Sequence, residues 1–160
     1  MNLLAELDAI DRRILALLQN DARMTNRELA DTVGLSPSAC LVRVRTLRER
    51  GIISRFTAEL DLAKLGRPLQ ALVSIRLARH ARPILDKLVD DLANLDETLS
   101  VFHLSGEADY MLHLAVRDPE HLRDVVLDKL TSRPEVAQVT TSLVFEHHRG
   151  GAMSLEPTRR

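Results

Sequence analysis

Thr25-Asn26-Arg27-Glu28-Leu29-Ala30-Asp31-Thr32-Val33-Gly34-Leu35-Ser36-Pro37-Ser38-Ala39-Cys40 holds one short helix and the start of another. Thr25 and Glu28 stand at capping-box spacing: the threonine oxygen can accept from the third helical amide while the glutamate reaches back to the cap. The helix they open is predicted to run to about Val33, and Gly34 supplies the positive φ that a chain leaving a helix often needs. Ser36 then caps a second helix with Pro37 at its first position, where the missing N–H costs nothing. That helix is expected to reach about Arg50 and to stop at Gly51. Upstream, Leu7, Ile10, Ile14, Leu17 and Leu18 recur at spacings of three and four, with Asp8, Asp11, Arg12 and Arg13 falling elsewhere, the pattern of an amphipathic helix. Three helices joined by short turns, the third opened by Ser-Pro, make a helix-turn-helix whose third helix can enter a DNA major groove.

At about 100° per residue, Cys40, Val44 and Leu47 share one stripe of the third helix, assigned here to the core. Ser38, Val42, Arg45 and Glu49 point nearly the opposite way, flanked by Ala39, Arg43 and Thr46. Small residues let a helix sit close to base edges, and arginines reach guanine or phosphate. The candidate DNA-binding residues are therefore Ser36, Ser38, Ala39, Val42, Arg43, Arg45, Thr46 and Arg55. Charge supports this reading, because an overall balance of −1 hides a local excess: residues 36–55 hold five arginines and one glutamate, a net +4. A plain solvated helix can also be rich in arginine, so the helix order and the local charge carry the reading together.

The remainder of the chain reads as a different kind of domain. Ile53, Phe56, Ala58 and Leu60 suggest an extended segment, and residues 61–68, with Gly66 and Pro68 as breakers, read as a hinge. Beyond it, 69–78 reads as a strand, 83–93 as a helix, 99–104 as a strand, Gly106 to Asp109 as a hairpin loop, 110–116 as a strand, 119–130 as a helix capped by Asp118, and 136–145 as a strand. The order β-α-β-β-α-β is that of a ferredoxin-like fold. The fold class is thus α+β: an N-terminal helix-turn-helix over residues 1–60, a hinge at 61–68, a ferredoxin-like domain at 69–149 and a fraying tail at 150–160. Helices can cover only one face of such a sheet. The other carries a mixture, with Gln70, Leu72, Ser74 and Arg76 in one alternating set and Met111, His113 and Ala115 in another, which suggests burial against a second copy of the chain.

Taken together, residues 7–15 (Leu-Asp-Ala-Ile-Asp-Arg-Arg-Ile-Leu), Leu29-Ala30, residues 33–40 (Val-Gly-Leu-Ser-Pro-Ser-Ala-Cys), Arg43-Val44, Leu47, Gly51-Ile52-Ile53 and the later run Ser105-Gly106-Glu107-Ala108-Asp109-Tyr110 resemble the Lrp/AsnC family of leucine-responsive and asparagine-responsive regulators. The resemblance spans about Leu7 to His147. It implies a winged or extended helix-turn-helix hinged to a ferredoxin-like effector domain, with dimers that assemble into tetramers or octamers and bind an amino acid at subunit interfaces. The family's Gly-Asp-x-Asp-Tyr hairpin falls on Gly106, Glu107, Ala108, Asp109 and Tyr110, with Glu107 where Asp is usual. By this resemblance the effector-binding residues are Ser105, Gly106, Glu107, Asp109, Tyr110 and Thr141, the last on a strand that lines the same cleft. Gly106 would free backbone amides for a carboxylate, and Asp109 would pair with an α-ammonium group. The expected partners are double-stranded DNA with a roughly palindromic operator, an amino-acid effector and further copies of the chain.

Other classes fare worse. With three Phe, one Tyr and no Trp, the chain offers no stacking platform for single-stranded nucleic acid. Six histidines raise the question of metal, but His147 and His148 are adjacent and would point opposite ways in an extended segment. His103 and His113, placed on the strands either side of the hairpin, would make only two ligands where a structural zinc wants four. No metal site, catalytic residue or cofactor is expected, and Cys40 reads as a small core residue. The main enzymatic alternative is a sirohaem decarboxylase of similar layout using His103, His113 or His121. A well-formed arginine-bearing third helix would have no purpose there. One cysteine, no signal-like N-terminus and no apolar run near the ~18 residues of a membrane span place the chain in the cytoplasm.

Overall fold

A computed structural model describes residues 6–78, 82–148 and 150–155. The described residues divide into two compact units: residues 6–59 with the tail from His148 on, and Leu60–His147.

The first unit contains α1 (Ala9–Asn20), α2 (Asn26–Val33) and α3 (Pro37–Glu49). Each begins on a side-chain cap: Asp8 accepts from the Asp11 amide, Thr25 and Glu28 close their capping box, and Ser36 accepts from the Ala39 amide. Gly34 and Gly51 end α2 and α3 at φ 73° and 71°, a region that side chains with a Cβ avoid. Leu7, Ile14, Leu15, Leu29, Ala30, Cys40 and Leu47 form the core between the three helices. The extended segment expected after α3 pairs with no strand among the described residues. Ile52 and Ile53 instead donate their amides back to the Leu47 carbonyl and pack on this core, while Phe56 and Leu60 stay exposed. Of the tail at 150–160, residues 150–155 are described. Gln19 and Met153 exchange two hydrogen bonds, side-chain amide to backbone, and Leu155 packs against the core of this unit.

The second unit runs β1 (Leu69–Leu77), α4 (Arg82–Ala93), β2 (Thr98–His103), β3 (Tyr110–Val116), α5 (Pro119–Asp124), a π-helical segment (Val125–Thr131) and β4 (Val136–Val144). The four strands form one antiparallel sheet in the order β2-β3-β1-β4, the ferredoxin-like arrangement. Its core joins Ala71, Val73 and Ile75 of β1 and Leu112, Leu114 and Val116 of β3 to Leu88 and Leu92 of α4 and to Leu122, Val125 and Leu130. The predicted helix over 119–130 changes register half-way. Val125 and Leu130, five residues apart, are both buried, and a wider π turn puts them over one another where an α turn would bring round Lys129. Lys129 then reaches Glu97, a charged residue only 5% exposed, with its Nζ 2.9 Å from both carboxylate oxygens. His121 Nε2 lies 3.1 Å from the same carboxylate.

Candidate functional site

Two groups of side chains carry the functional question, one in each unit. On α3, Cys40 and Leu47 are buried, and Leu41, Val42, Arg45 and Thr46 lie outside the core. Ser38 sits at the helix start with its hydroxyl 3.1 Å from that of Ser36, and Ala39 is exposed beside it. The Asn26 side chain donates to the Pro37 carbonyl at 2.8 Å, fixing the start of α2 against the start of α3. Ser38, Ala39, Val42, Arg45 and Thr46 therefore share the solvent side of the helix, and Arg55 is exposed on the segment that follows.

Arg43 must be reassigned. Its guanidinium lies 2.7 Å from Asp8 and 2.8 Å from Asp11, and it is only 32% exposed. The two carboxylates hold its pKa above the ordinary arginine range, Asp11 contributing most, while the Asp11 amide and then Arg43 hold Asp8 below the usual carboxylate range. Arg43 is a clamp between α1 and α3 and not a free hand for DNA; its predicted role came from helix phase, which cannot see a partner 35 residues upstream. Arg50 is similarly paired with Glu6 at 2.7 Å. Arg45 is paired too, with Glu49 at 2.8 Å, but at 78% exposure this is a solvent-exposed i,i+4 contact that is cheaply exchanged. Among the described residues, Arg48 and Arg55 have no carboxylate partner. Arg48 lies over the Phe56 ring at 5.9 Å and, with Arg45, Glu49, Ile53 and Ser54, lines an open depression. Two of the five arginines, Arg43 and Arg50, are thus matched by acids outside the stretch, and the remaining positive charge lies at Arg48, Arg55 and the loosely held Arg45.

The hairpin between β2 and β3 is tied down by its own backbone. Leu104 donates to the Asp109 carbonyl at 2.8 Å and Asp109 to the Ile75 carbonyl at 2.9 Å. Gly106 takes φ 137°, and Ser105, Gly106 and Glu107 are exposed. One carboxylate oxygen of Asp109 accepts the Leu77 amide at 2.7 Å, where β1 slips register between Arg76 and Leu77. The aspartate therefore has a structural task that motif spacing did not reveal, and that task occupies one of its two carboxylate oxygens. Tyr110 is buried, its ring stacked 4.7 Å from that of His103. Thr141 does not join this group within one chain. From β4 it faces Val73 of β1, three ladder positions and two strands away from Asp109, roughly 10 Å along the sheet and 10 Å across it.

The histidines separate likewise. His103 faces Tyr110, whereas His113 faces Leu72 and Ser100 on the opposite side of the sheet, so these two histidines do not share a face. His113 instead lies 2.8 Å from Gln70 and edge-on to His147, and burial, with a contribution from His147, holds its pKa below the ordinary histidine value. No group of three or more His, Cys, Asp or Glu side chains among the described residues could hold a metal ion. Burial raises the Cys40 thiol pKa, the opposite of what a reactive thiolate needs.

Sequence reasoning passed over Leu41, which is 58% exposed, and Glu97. Leu41 was legible in its spacing of three and four from Ser38 and Arg45. Nothing in sequence marks Glu97, because both of its partners arrive through the π turn and α5.

Comparison with known proteins bears on both groups. Residues 7–54 match the family model for a winged helix-turn-helix DNA-binding domain, and residues 70–151 match that for the Lrp/AsnC ligand binding domain. The chain is 45% identical over 148 residues to the HTH-type transcriptional regulator AldR of Mycobacterium tuberculosis, covering 92% of this chain and 83% of that one. It is 38% identical over 141 residues to the leucine-responsive regulatory protein of Escherichia coli, covering 88% and 86%. A solved transcriptional regulator of Neisseria meningitidis, described as a complex with L-Met, is 34% identical and superposes with a TM-score of 0.84 over 91% of this chain and 94% of that one.

Proposed function

The chain belongs to the Lrp/AsnC family of DNA-binding transcription regulators, and we infer that it reads a roughly palindromic operator as a homo-oligomer under the control of an amino acid. It is a regulator with a ligand-binding domain, not an enzyme. Among the described residues no helix is long and apolar enough to cross a membrane. The observation that carries the DNA reading is α3, a capped helix whose outward face pairs small residues at its start with an arginine held only by an exposed partner. Two such helices related by a two-fold axis would meet half-sites about 34 to 36 Å apart, or a multiple of that. Ser38, Ala39, Val42 and Thr46 would approach base edges, and Arg45 and Arg55 would contact base or phosphate.

The amino-acid effector rests on the hairpin and on the L-Met described for the Neisseria regulator. A ligand carboxylate would meet the amides around Gly106, with Ser105 and Glu107 at the rim, and its ammonium group would meet the other oxygen of Asp109. Thr141 would complete the cleft from a second copy, which accounts for its distance from the hairpin within one chain. Because hairpin and α3 lie in separate units, the effector would act by favouring one subunit arrangement over another, with residues 61–68 passing the change on.

A thermal-shift screen of the twenty amino acids tests this on the wild type and on Asp109→Asn, which keeps an oxygen for the Leu77 amide but loses the charge. One or a few amino acids should stabilise the wild type, by ~2.7 kcal/mol at 100 times Kd, and should leave the variant unshifted. A wild type that responds to none of the twenty overturns the amino-acid reading.

A further inference from the structure

An apolar stripe at helical spacing is normally the side that a helix buries. On α3 the positions Ser38, Leu41, Val42 and Arg45 follow at intervals of three, four and seven, and this stripe lies outside the core formed by Cys40 and Leu47. Leu41 and Val42 are 58% and 62% exposed. They stand between a serine at the helix start and the weakly held Arg45, within the residues that match the winged helix-turn-helix family.

The composition of α3 narrows what such a face can read. Its sequence, Pro-Ser-Ala-Cys-Leu-Val-Arg-Val-Arg-Thr-Leu-Arg-Glu, contains neither asparagine nor glutamine, the side chains that bond adenine bidentately. The other distinctive feature of an A·T pair in the major groove is the thymine C5-methyl group, which is recognised by apolar contact. We propose that Leu41 and Val42 select thymine, packing on C5-methyl groups beside the base pair that Arg45 contacts. The proposal rests on the DNA reading of α3 given above. At a rise of about 1.5 Å per residue, Leu41 and Val42 lie roughly 5 Å along the axis from Arg45, one to two base-pair steps of 3.4 Å. The selected sequence should therefore place thymine within about two base pairs of the guanine or phosphate that Arg45 meets.

The test uses the full chain and duplexes that it enriches from a randomised pool, resynthesised with deoxyuridine replacing thymidine one position at a time. Uracil pairs as thymine does and lacks only the methyl group. At one or two positions per half-site the replacement should weaken binding about fourfold per methyl, the equilibrium equivalent of leaving one such group unburied. Leu41→Ala or Val42→Ala should bind the thymine duplex less tightly and lose the uracil penalty at one of those positions. Val42→Ser, which removes both methyl groups at a position 62% exposed, should lose it too while leaving the helix folded. A sequence that is enriched but carries no uracil penalty overturns this assignment alone, as does a penalty of equal size in the wild type and the variants. Leu41→Asp altering the mass by light scattering, with no uracil penalty in the wild type, would assign the patch to a second copy of the chain and likewise overturn it. A pool that enriches no sequence at all overturns the DNA reading on which the proposal stands.

Discussion

The two units differ in where their most heavily bonded carboxylates lie. The helical unit keeps its ion pairs at the surface: even the tightest, Arg43 with Asp8 and Asp11, is 32% exposed on the arginine, and both members of Arg45–Glu49 are mostly exposed. The sheet unit buries Glu97 and brings Lys129 and His121 to it from two further segments. The lesson is that an ionic side chain is available for function in proportion to its exposure and to how cheaply its partner can be exchanged. Neither property follows from residue type. Substituting one member of each arrangement ranks them.

Glu97→Gln should have the largest effect on stability. Burial alone would raise the pKa of this carboxylate, but hydrogen bonds from Lys129, its own amide and His121 outweigh it and hold the pKa below the ordinary glutamate value. The amide would lose the charge that faces the Lys129 ammonium and turn a donor toward one of the groups that now donate to Glu97, at an expected cost of about 2 kcal/mol in urea unfolding. The native state binds fewer protons on Glu97 than the unfolded chain does. The wild-type contribution is therefore intact above the ordinary glutamate range and lost as pH falls through it and through the lowered folded value. The gap between wild type and variant should narrow over that acidic window, and a gap independent of pH would remove Glu97 as its source.

Arg43→Ala comes next. Two charge-assisted bonds between α1 and α3 are lost, but at partial exposure they should be worth about 1 kcal/mol together. Because Arg43 is a clamp, DNA binding at low temperature, where the unit stays folded, should change little. A large loss of affinity without loss of stability would restore Arg43 to the DNA face.

The same contrast explains what was legible in the sequence. The helical unit is written in short-range signals, and the capping box at Thr25, the Ser36-Pro37 start and the glycine stops at Gly34 and Gly51 fall where their spacing indicates. The strand order of the sheet unit was also legible, through alternation and the Gly106 loop. Its decisive contacts were not, because Asp109 to Leu77, Lys129 to Glu97 and the shift to a π turn depend on residues about thirty positions apart. The returning tail escaped for a related reason. Leu155 sits among polar neighbours with no period, and only the packed core shows where it goes. Leu155→Ser should cost the helical unit roughly 0.5 to 1 kcal/mol, read as faster hydrogen exchange in α1; unchanged protection there would mean that the tail contact contributes nothing in solution.

Arg45→Ala should have the smallest effect on stability, and its consequence should fall on DNA. The pair with Glu49 is an exposed i,i+4 contact worth ~0.3 to 0.5 kcal/mol, so the melting curve should barely move. On DNA the arginine must leave Glu49 for a base or a phosphate, and the exchange favours binding because the groove is more negative than one carboxylate. Removing the arginine should weaken specific binding by on the order of 1 to 3 kcal/mol if it reads a base, with relaxed preference at that base pair. If it meets a phosphate, binding should instead weaken evenly across sequences and the salt slope should fall by about 1. Glu49→Gln frees Arg45 and removes a negative charge from the same face, so it should tighten binding to every duplex, most at low salt. Gel-shift titrations of the two variants at two salt concentrations separate these outcomes. Arg45→Ala binding DNA as the wild type does, with Glu49→Gln equally without effect, would show that exposure alone does not make α3 the reading surface.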